Sequence, residues 1–211
     1  MTSLVSRWMT SPMNDKAERS LNLPNAITIS RLLLSFVLFA MIQAGGCWLW
    51  AAGLFVFAVL TDILDGWIAR KYQLITQLGR ILDPFVDKFI TSGTFLFLLP
   101  VANESGVTPW MVVIVLGREM LVTSLRGFLE QQGADFSASA SGKLKMFLQC
   151  AAATAALLSM HPSLANASVL GISFTCIRDI LLWTMVVVTV WSGYIYVQRA
   201  IVLLRPTDRK P

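Results

Sequence analysis

Four aspartates stand at strict spacing where one apolar stretch gives way to the next: Asp62-x2-Asp65-Gly66-x2-Ala69-Arg70, then eight residues, then Gly79-x3-Asp83-x3-Asp87. Residues three or four apart share a helix face, so Asp62 and Asp65 point the same way, as do Asp83 and Asp87. Ionisable groups in or near a bilayer are costly and default to a functional reading. Four converging carboxylates repel one another unless cations compensate them. The economical explanation is a divalent metal site. Carboxylate oxygens favour hard cations such as Mg²⁺ or Mn²⁺, which share their coordination with substrate phosphates.

A second cluster is basic. Arg118 and Glu119 interrupt an apolar run roughly 15 Å from its end, where a charge faces a bundle interior or a watered cavity. Arg126 follows two turns later on about the same face, Lys143 and Lys145 open the next run, and Arg31 sits just inside the first. Such cations beside an acidic cluster could cradle substrate phosphates. The plainer reading of Arg118 is an ion pair within the bundle, with Glu119 or an aspartate; that of Arg31 and Lys145 is snorkelling to headgroups. Gly66, Gly79 and the small Ala69 would let a ligand approach the backbone, although small residues also serve close helix packing in membranes.

The elements that must hold these groups are membrane helices. The 211 residues are 55% hydrophobic and only 14% charged, with a mean hydropathy of +0.66. That is too oily for a soluble domain of this length. Runs of the roughly 20 residues needed to span hydrocarbon extend from Ala26 to Ala44, Cys47 to Arg70, Gln77 to Val101, Thr108 to Gln131, Gly142 to Met160 and Cys176 to Leu204. The predicted fold is all-α and polytopic, with six transmembrane helices. Lys and Arg gather before the first span, between spans two and three, between four and five, and at the tail. The opposite loops, at Gly45–Gly46, around Glu104 and from His161 to Thr175, have none. Both termini are therefore expected on the cytoplasmic side. Counting inward, Asp62 and Asp65 lie roughly 22 and 27 Å along the second span, near its cytoplasmic end.

Residues 1–25 are expected to be a cytoplasmic or interfacial segment, with Leu4, Val5, Trp8 and Met9 on one face of a possible short interfacial helix. They do not resemble a cleavable signal peptide. Residues 26–204 form the six-helix domain and 205–211 a cytoplasmic tail. The net charge of +5 suits topology and anionic headgroups; no basic, aromatic-interleaved stripe supports nucleic-acid binding. Cys47, Cys150 and Cys176 lack metal-ligand spacing and read as small packing residues. His161 is expected to be solvated. Pro84 lies near the start of the third span, where helices tolerate proline best.

The eight specified positions between Asp62 and Asp87 match in full the signature of the CDP-alcohol phosphotransferase family, which this chain resembles from about Asn22 to Arg205. Three further stretches look like members that use glycerol 3-phosphate: Asn22-Leu23-Pro24-Asn25-Ala26-Ile27-Thr28-x2-Arg31, Gly117-Arg118-Glu119-x6-Arg126, and Ser141-Gly142-Lys143-Leu144-Lys145. The resemblance implies transfer of a phosphatidyl group from CDP-diacylglycerol to the hydroxyl of sn-glycerol 3-phosphate, releasing CMP. It implies that Asp62, Asp65, Asp83 and Asp87 hold two divalent cations, Mg²⁺ or Mn²⁺. By the same resemblance Asp62, Asp65, Gly66, Ala69, Arg70 and Gly79 line the CDP pocket, and Asp87 is the general base. Arg118, Arg126 and Lys143 would hold the acceptor phosphate, with Lys145 and Arg31 as further candidates. A homodimer in the cytoplasmic membrane, its active site facing the cytoplasm, also follows from it. Inositol phosphate and phosphatidylglycerol are alternative acceptors within the family. A cation transporter would use intramembrane acids too, but the paired broken helices of transporters are missing and the cations would have no purpose.

Overall fold

The computed structural model describes residues 23–71, 77–131, 140–169 and 171–204; within these, only the backbone is described at 23–25, 63, 65–71, 77–81, 130–131, 140–141, 143, 169 and 204. The expected N-terminal interfacial helix and the tail lie outside the described residues. Six long helices carry the fold: α1 (Leu23–Ala44), α2 (Trp48–Lys71), α3 (Gln77–Leu98), α5 (Pro109–Gln131), α6 (Ala140–Ser159) and α8 (Phe174–Leu204). Two single turns, α4 (Ala102–Ser105) and α7 (Pro162–Ala165), and a two-residue hairpin, β1 (Ser168–Val169) paired antiparallel with β2 (Ile172–Ser173), fill the connections at one end.

The bundle is apolar inside and out. Its core is built of small and branched residues, including Ala51, Ala52, Ala152, Ala153 and Ala156 with Leu38, Leu98, Leu157 and Leu182. Its outer faces expose Trp50, Trp110, Met120, Phe147 and Val187. Helices apolar on every side belong to a large core or a membrane. Ala26–Ala44, Leu82–Ser105 and Phe174–Leu203 are long and apolar enough to cross a membrane by length and composition, and Trp48–Asp62 and Leu144–Ser159 are shorter apolar helices. In α5 the apolar run is interrupted by Arg118, Glu119 and Arg126.

Packing between α1 and α3 is the tightest contact relevant to the aspartates. The Phe39 ring stacks on Phe97 at 4.8 Å and meets Phe89 at 5.5 Å. It also covers Gly93, where an added Cβ would lie 2.1 Å from Phe39 Cζ. Only glycine lets the two helices close to this distance. α6 packs along α8, α5 also rests on α8, and α2 lies between α1 and α6. Pro84 stands well inside α3 rather than in its first turn. The helix therefore lacks the backbone donor at that position, one bond of its ladder. His161 is half-buried, with Nδ1 enclosed and lacking a hydrogen-bond partner among the described residues, so it is less solvated than its loop position suggests. All three cysteines are free.

Candidate functional site

The aspartates are distributed as their spacing requires: Asp62 and Asp65 on α2, Asp83 and Asp87 on α3. Helix α1 supplies their polar partners. Thr28 Oγ1 donates to Asp83 Oδ1 at 2.6 Å, and the buried Arg31 donates through Nη1 to Asp62 Oδ1 in an ion pair. Thr28 and Arg31 are three residues apart and share a face of α1, so one helix addresses both carboxylate-bearing neighbours. Asp87 is largely enclosed and lies within electrostatic range of Asp62 and Glu119, and of the cations Arg31 and Lys145.

These described groups offer oxygen donors alone, the set that hard divalent cations take. Among the described residues no three His, Cys, Asp or Glu side chains converge on a point. Mg²⁺ and Mn²⁺ are held through one or two carboxylates and complete their coordination on water and substrate phosphate. The donor set thus fits such an ion. The side chains of Asp65, Gly66, Ala69, Arg70, Gly79 and Lys143 lie outside the described residues.

A cavity of about 260 Å³ lies between α3 and α5, lined by Lys88, Arg118, Glu119 and Arg126 with Pro84, Val122, Thr123 and Gly127; Pro84 and Lys88 follow Asp83 and Asp87 in the chain, and none of the aspartates lines it. α5 provides most of its wall because residues 119, 123 and 126 recur at helical spacing. Arg118 is fastened from behind: Nη2 donates to Ser192 Oγ at 2.7 Å, and the guanidinium lies 5.4 Å from the Tyr196 ring centroid. The Nε groups of Arg118 and Arg126 are buried without a hydrogen-bond partner among the described residues. Buried donors left in this state are uncommon. An apolar groove between α3 and α5, walled by Phe85, Phe89, Leu96, Leu116 and Met120, shares Pro84, Lys88, Glu119 and Thr123 with the cavity.

The structure divides the five cations assigned to phosphate. Arg118 and Arg126 line the cavity. Arg31 is bound to Asp62 instead, and Lys145 is turned to Glu119 and does not line it. The ion pair of Arg118 with Glu119, at 3.3 Å, also exists, so Arg118 has a structural partner and a free edge. Sequence reasoning missed Lys88, whose Nζ donates to Thr123 Oγ1 across the α3–α5 gap. It also missed Thr28. Lys88 follows Asp87 directly, and Thr28 precedes Arg31 by one helical step; these adjacencies were the available signals.

A family model described as CDP-alcohol phosphatidyltransferase matches residues 21–191. The chain is similar, at 34% identity over 178 residues, to a CDP-diacylglycerol–glycerol-3-phosphate 3-phosphatidyltransferase of Rickettsia typhi, covering 83% of this chain and 94% of that one. A Bacillus subtilis protein of the same description is 34% identical over 190 residues, covering 83% and 93%. A CMP-forming cardiolipin synthase of rice is 30% identical over 192 residues, covering 85% of this chain and 57% of the relative.

Proposed function

The chain belongs to the CDP-alcohol phosphatidyltransferase family, and from that premise we propose that it transfers the phosphatidyl group of CDP-diacylglycerol to sn-glycerol 3-phosphate, yielding phosphatidylglycerophosphate and CMP. The observation that carries the acceptor assignment is the cationic cavity of Lys88, Arg118 and Arg126 against α3, the helix that bears Asp83 and Asp87. The relatives' descriptions point the same way.

In this reading Asp62, Asp65, Asp83 and Asp87 hold two divalent cations, Mg²⁺ or Mn²⁺. Bound there, such ions supply charge neutralisation at the donor's diphosphate and at the departing phosphate of CMP. Gly66, Ala69, Arg70 and Gly79, with Asp62 and Asp65, line the cytidine and diphosphate pocket. Arg118, Arg126 and Lys143 hold the acceptor phosphate and so present its hydroxyl to Asp87, which takes the proton as the oxygen attacks the phosphatidyl phosphorus. The bond from that phosphorus to the CMP oxygen then breaks. Arg31 and Lys145 act from the rear, balancing Asp62 and Glu119.

The same reading makes residues 26–204 a six-span domain with both termini cytoplasmic, flanked by an interfacial segment at 1–25 and a tail at 205–211. The active site faces the cytoplasm and the protein works as a homodimer in the cytoplasmic membrane. Phosphatidylglycerol is a second acceptor candidate, because the apolar groove between α3 and α5 borders the cationic cavity and could admit a lipid.

Purified protein incubated with CDP-diacylglycerol, Mg²⁺ or Mn²⁺ and one acceptor at a time decides among these. Glycerol 3-phosphate should give CMP and phosphatidylglycerophosphate. Turnover with phosphatidylglycerol or inositol phosphate alone would overturn the acceptor. A chelator should silence the enzyme and added Mg²⁺ restore it; activity that survives chelation removes the metal assignment.

A further inference from the structure

Glu119 is an acid in a cavity otherwise made for anions. It is buried, and its single oxygen Oε1 accepts from Lys145 Nζ on α6 and from Arg118 Nη1 on its own helix at 3.3 Å. A carboxylate in that wall repels an incoming phosphate, so some other effect must compensate. Successive residues on a helix diverge by about 100°. Arg118 therefore meets Glu119 only where its guanidinium is turned back along α5, between Glu119 on one side and Ser192 on the other. Lys145 approaches Glu119 from behind the cavity wall. One carboxylate thus ties α5 to α6, and through Arg118 to α8.

The lining charges sum to plus two: Lys88, Arg118 and Arg126 against Glu119. A phosphomonoester carries about 1.5 to 2 negative charges near neutral pH, and a phosphodiester only one. The cavity's charge thus complements a phosphomonoester.

We propose that Glu119 is a positioning residue, one that presets the Arg118 guanidinium against Lys145 so that the cavity receives the phosphomonoester of the acceptor. The inference rests on the reading of that cavity as the acceptor site. Two roles for Glu119 have opposite signs. A carboxylate that merely lowered the cavity's potential would, once neutralised, tighten acceptor binding. One that positions cations would weaken it despite the added positive charge.

The test is the steady-state kinetics of Glu119→Gln and Glu119→Asp in the full-length enzyme, with CDP-diacylglycerol and glycerol 3-phosphate each varied. Glu119→Gln should raise the acceptor KM about tenfold, the equivalent of one charge-assisted hydrogen bond, and leave the donor KM near wild type, while the buried Lys145 left without its counter-ion lowers the thermal midpoint. Glu119→Asp keeps the charge but shortens the reach, and should raise the acceptor KM by a smaller factor. The acceptor KM of a double Glu119→Gln/Lys145→Met variant should match that of Glu119→Gln alone, because Glu119 acts on a pair already broken. An acceptor KM that falls or stays constant in both single variants overturns the proposal. So does a rise of both KM values by similar factors, which marks a general structural role. If the wild type ignores glycerol 3-phosphate but uses inositol phosphate, the acceptor assignment fails by itself, and the same comparison is made with inositol phosphate.

Discussion

At the end of the bundle away from the aspartates, Arg178 near the start of α8 is buried, while Arg118 and Arg126 at the site are half-buried. It donates to the Glu104 carbonyl and to Ser159 Oγ, and Nε donates to Asp179 Oδ1 at 2.8 Å. This binds α8 to the α4 turn and to the end of α6, and Gly106, in the left-handed region at φ +71°, leaves room for it. At the aspartate end, Arg118 and Arg126 line an open cavity. A buried arginine that closes its hydrogen bonds on backbone and hydroxyl groups acts as a fastener. One that lines a cavity keeps a face for a ligand, and that face is what separates the two.

The sharpest way to break this contrast is at Asp87, which belongs wholly to the chemical end. Asp87→Asn should lower CMP release by about 10² to 10⁴, the span typical of a lost general base, with thermal stability almost unmoved; a variant that keeps turnover removes Asp87 from the reaction. Next in size, Arg118→Ala should raise the acceptor KM about tenfold to a hundredfold, as the loss of charge-assisted hydrogen bonds does, with the donor KM constant. Equal effects on the two would mean that Arg118 binds the diphosphate. The smallest effect falls at the other end. Arg178→Met should leave both KM values alone and cost about 1–3 kcal/mol of stability, since a buried carbonyl and hydroxyl lose a donor, read as a lowered midpoint in a thermal melt. A kinetic change there would erase the distinction between the two arginines.

The six long helices were legible as long apolar runs, and their bounds fall within a few residues of those runs: Ala26–Ala44 became Leu23–Ala44 and Cys176–Leu204 became Phe174–Leu204. The short turns α4 and α7 and the β1–β2 hairpin were not legible, being too brief to leave a periodic signal. At the site, spacing put Asp62, Asp83 and Asp87 on neighbouring helices. It could not say which cation serves which carboxylate, because that depends on where α1 crosses α2 and α3. Arg31, Lys145 and Lys88 show this directly: all three are cations near acids, and only the packing separates the partner of Asp62, the partner of Glu119 and the third wall of the cavity. Arg178 was read as part of an apolar span because nothing in the linear sequence announces the Glu104 carbonyl as its acceptor.

The pairing of Arg31 with Asp62 has a consequence for how the protein is made. The two are 31 residues apart in the chain, and under the six-span reading Arg31 leaves the ribosome a full helix before its counter-ion exists. Arg31 lies near one end of α1, where its side chain can reach the headgroups until Asp62 emerges. The pair then closes when α2 packs on α1. Arg118 and Ser192, 74 residues apart, must wait far longer, until α8 has been synthesised. Biosynthesis then assembles the acidic half early and the basic half last, so a chain stalled before α8 would possess most of its aspartate cluster and none of its fixed acceptor cradle.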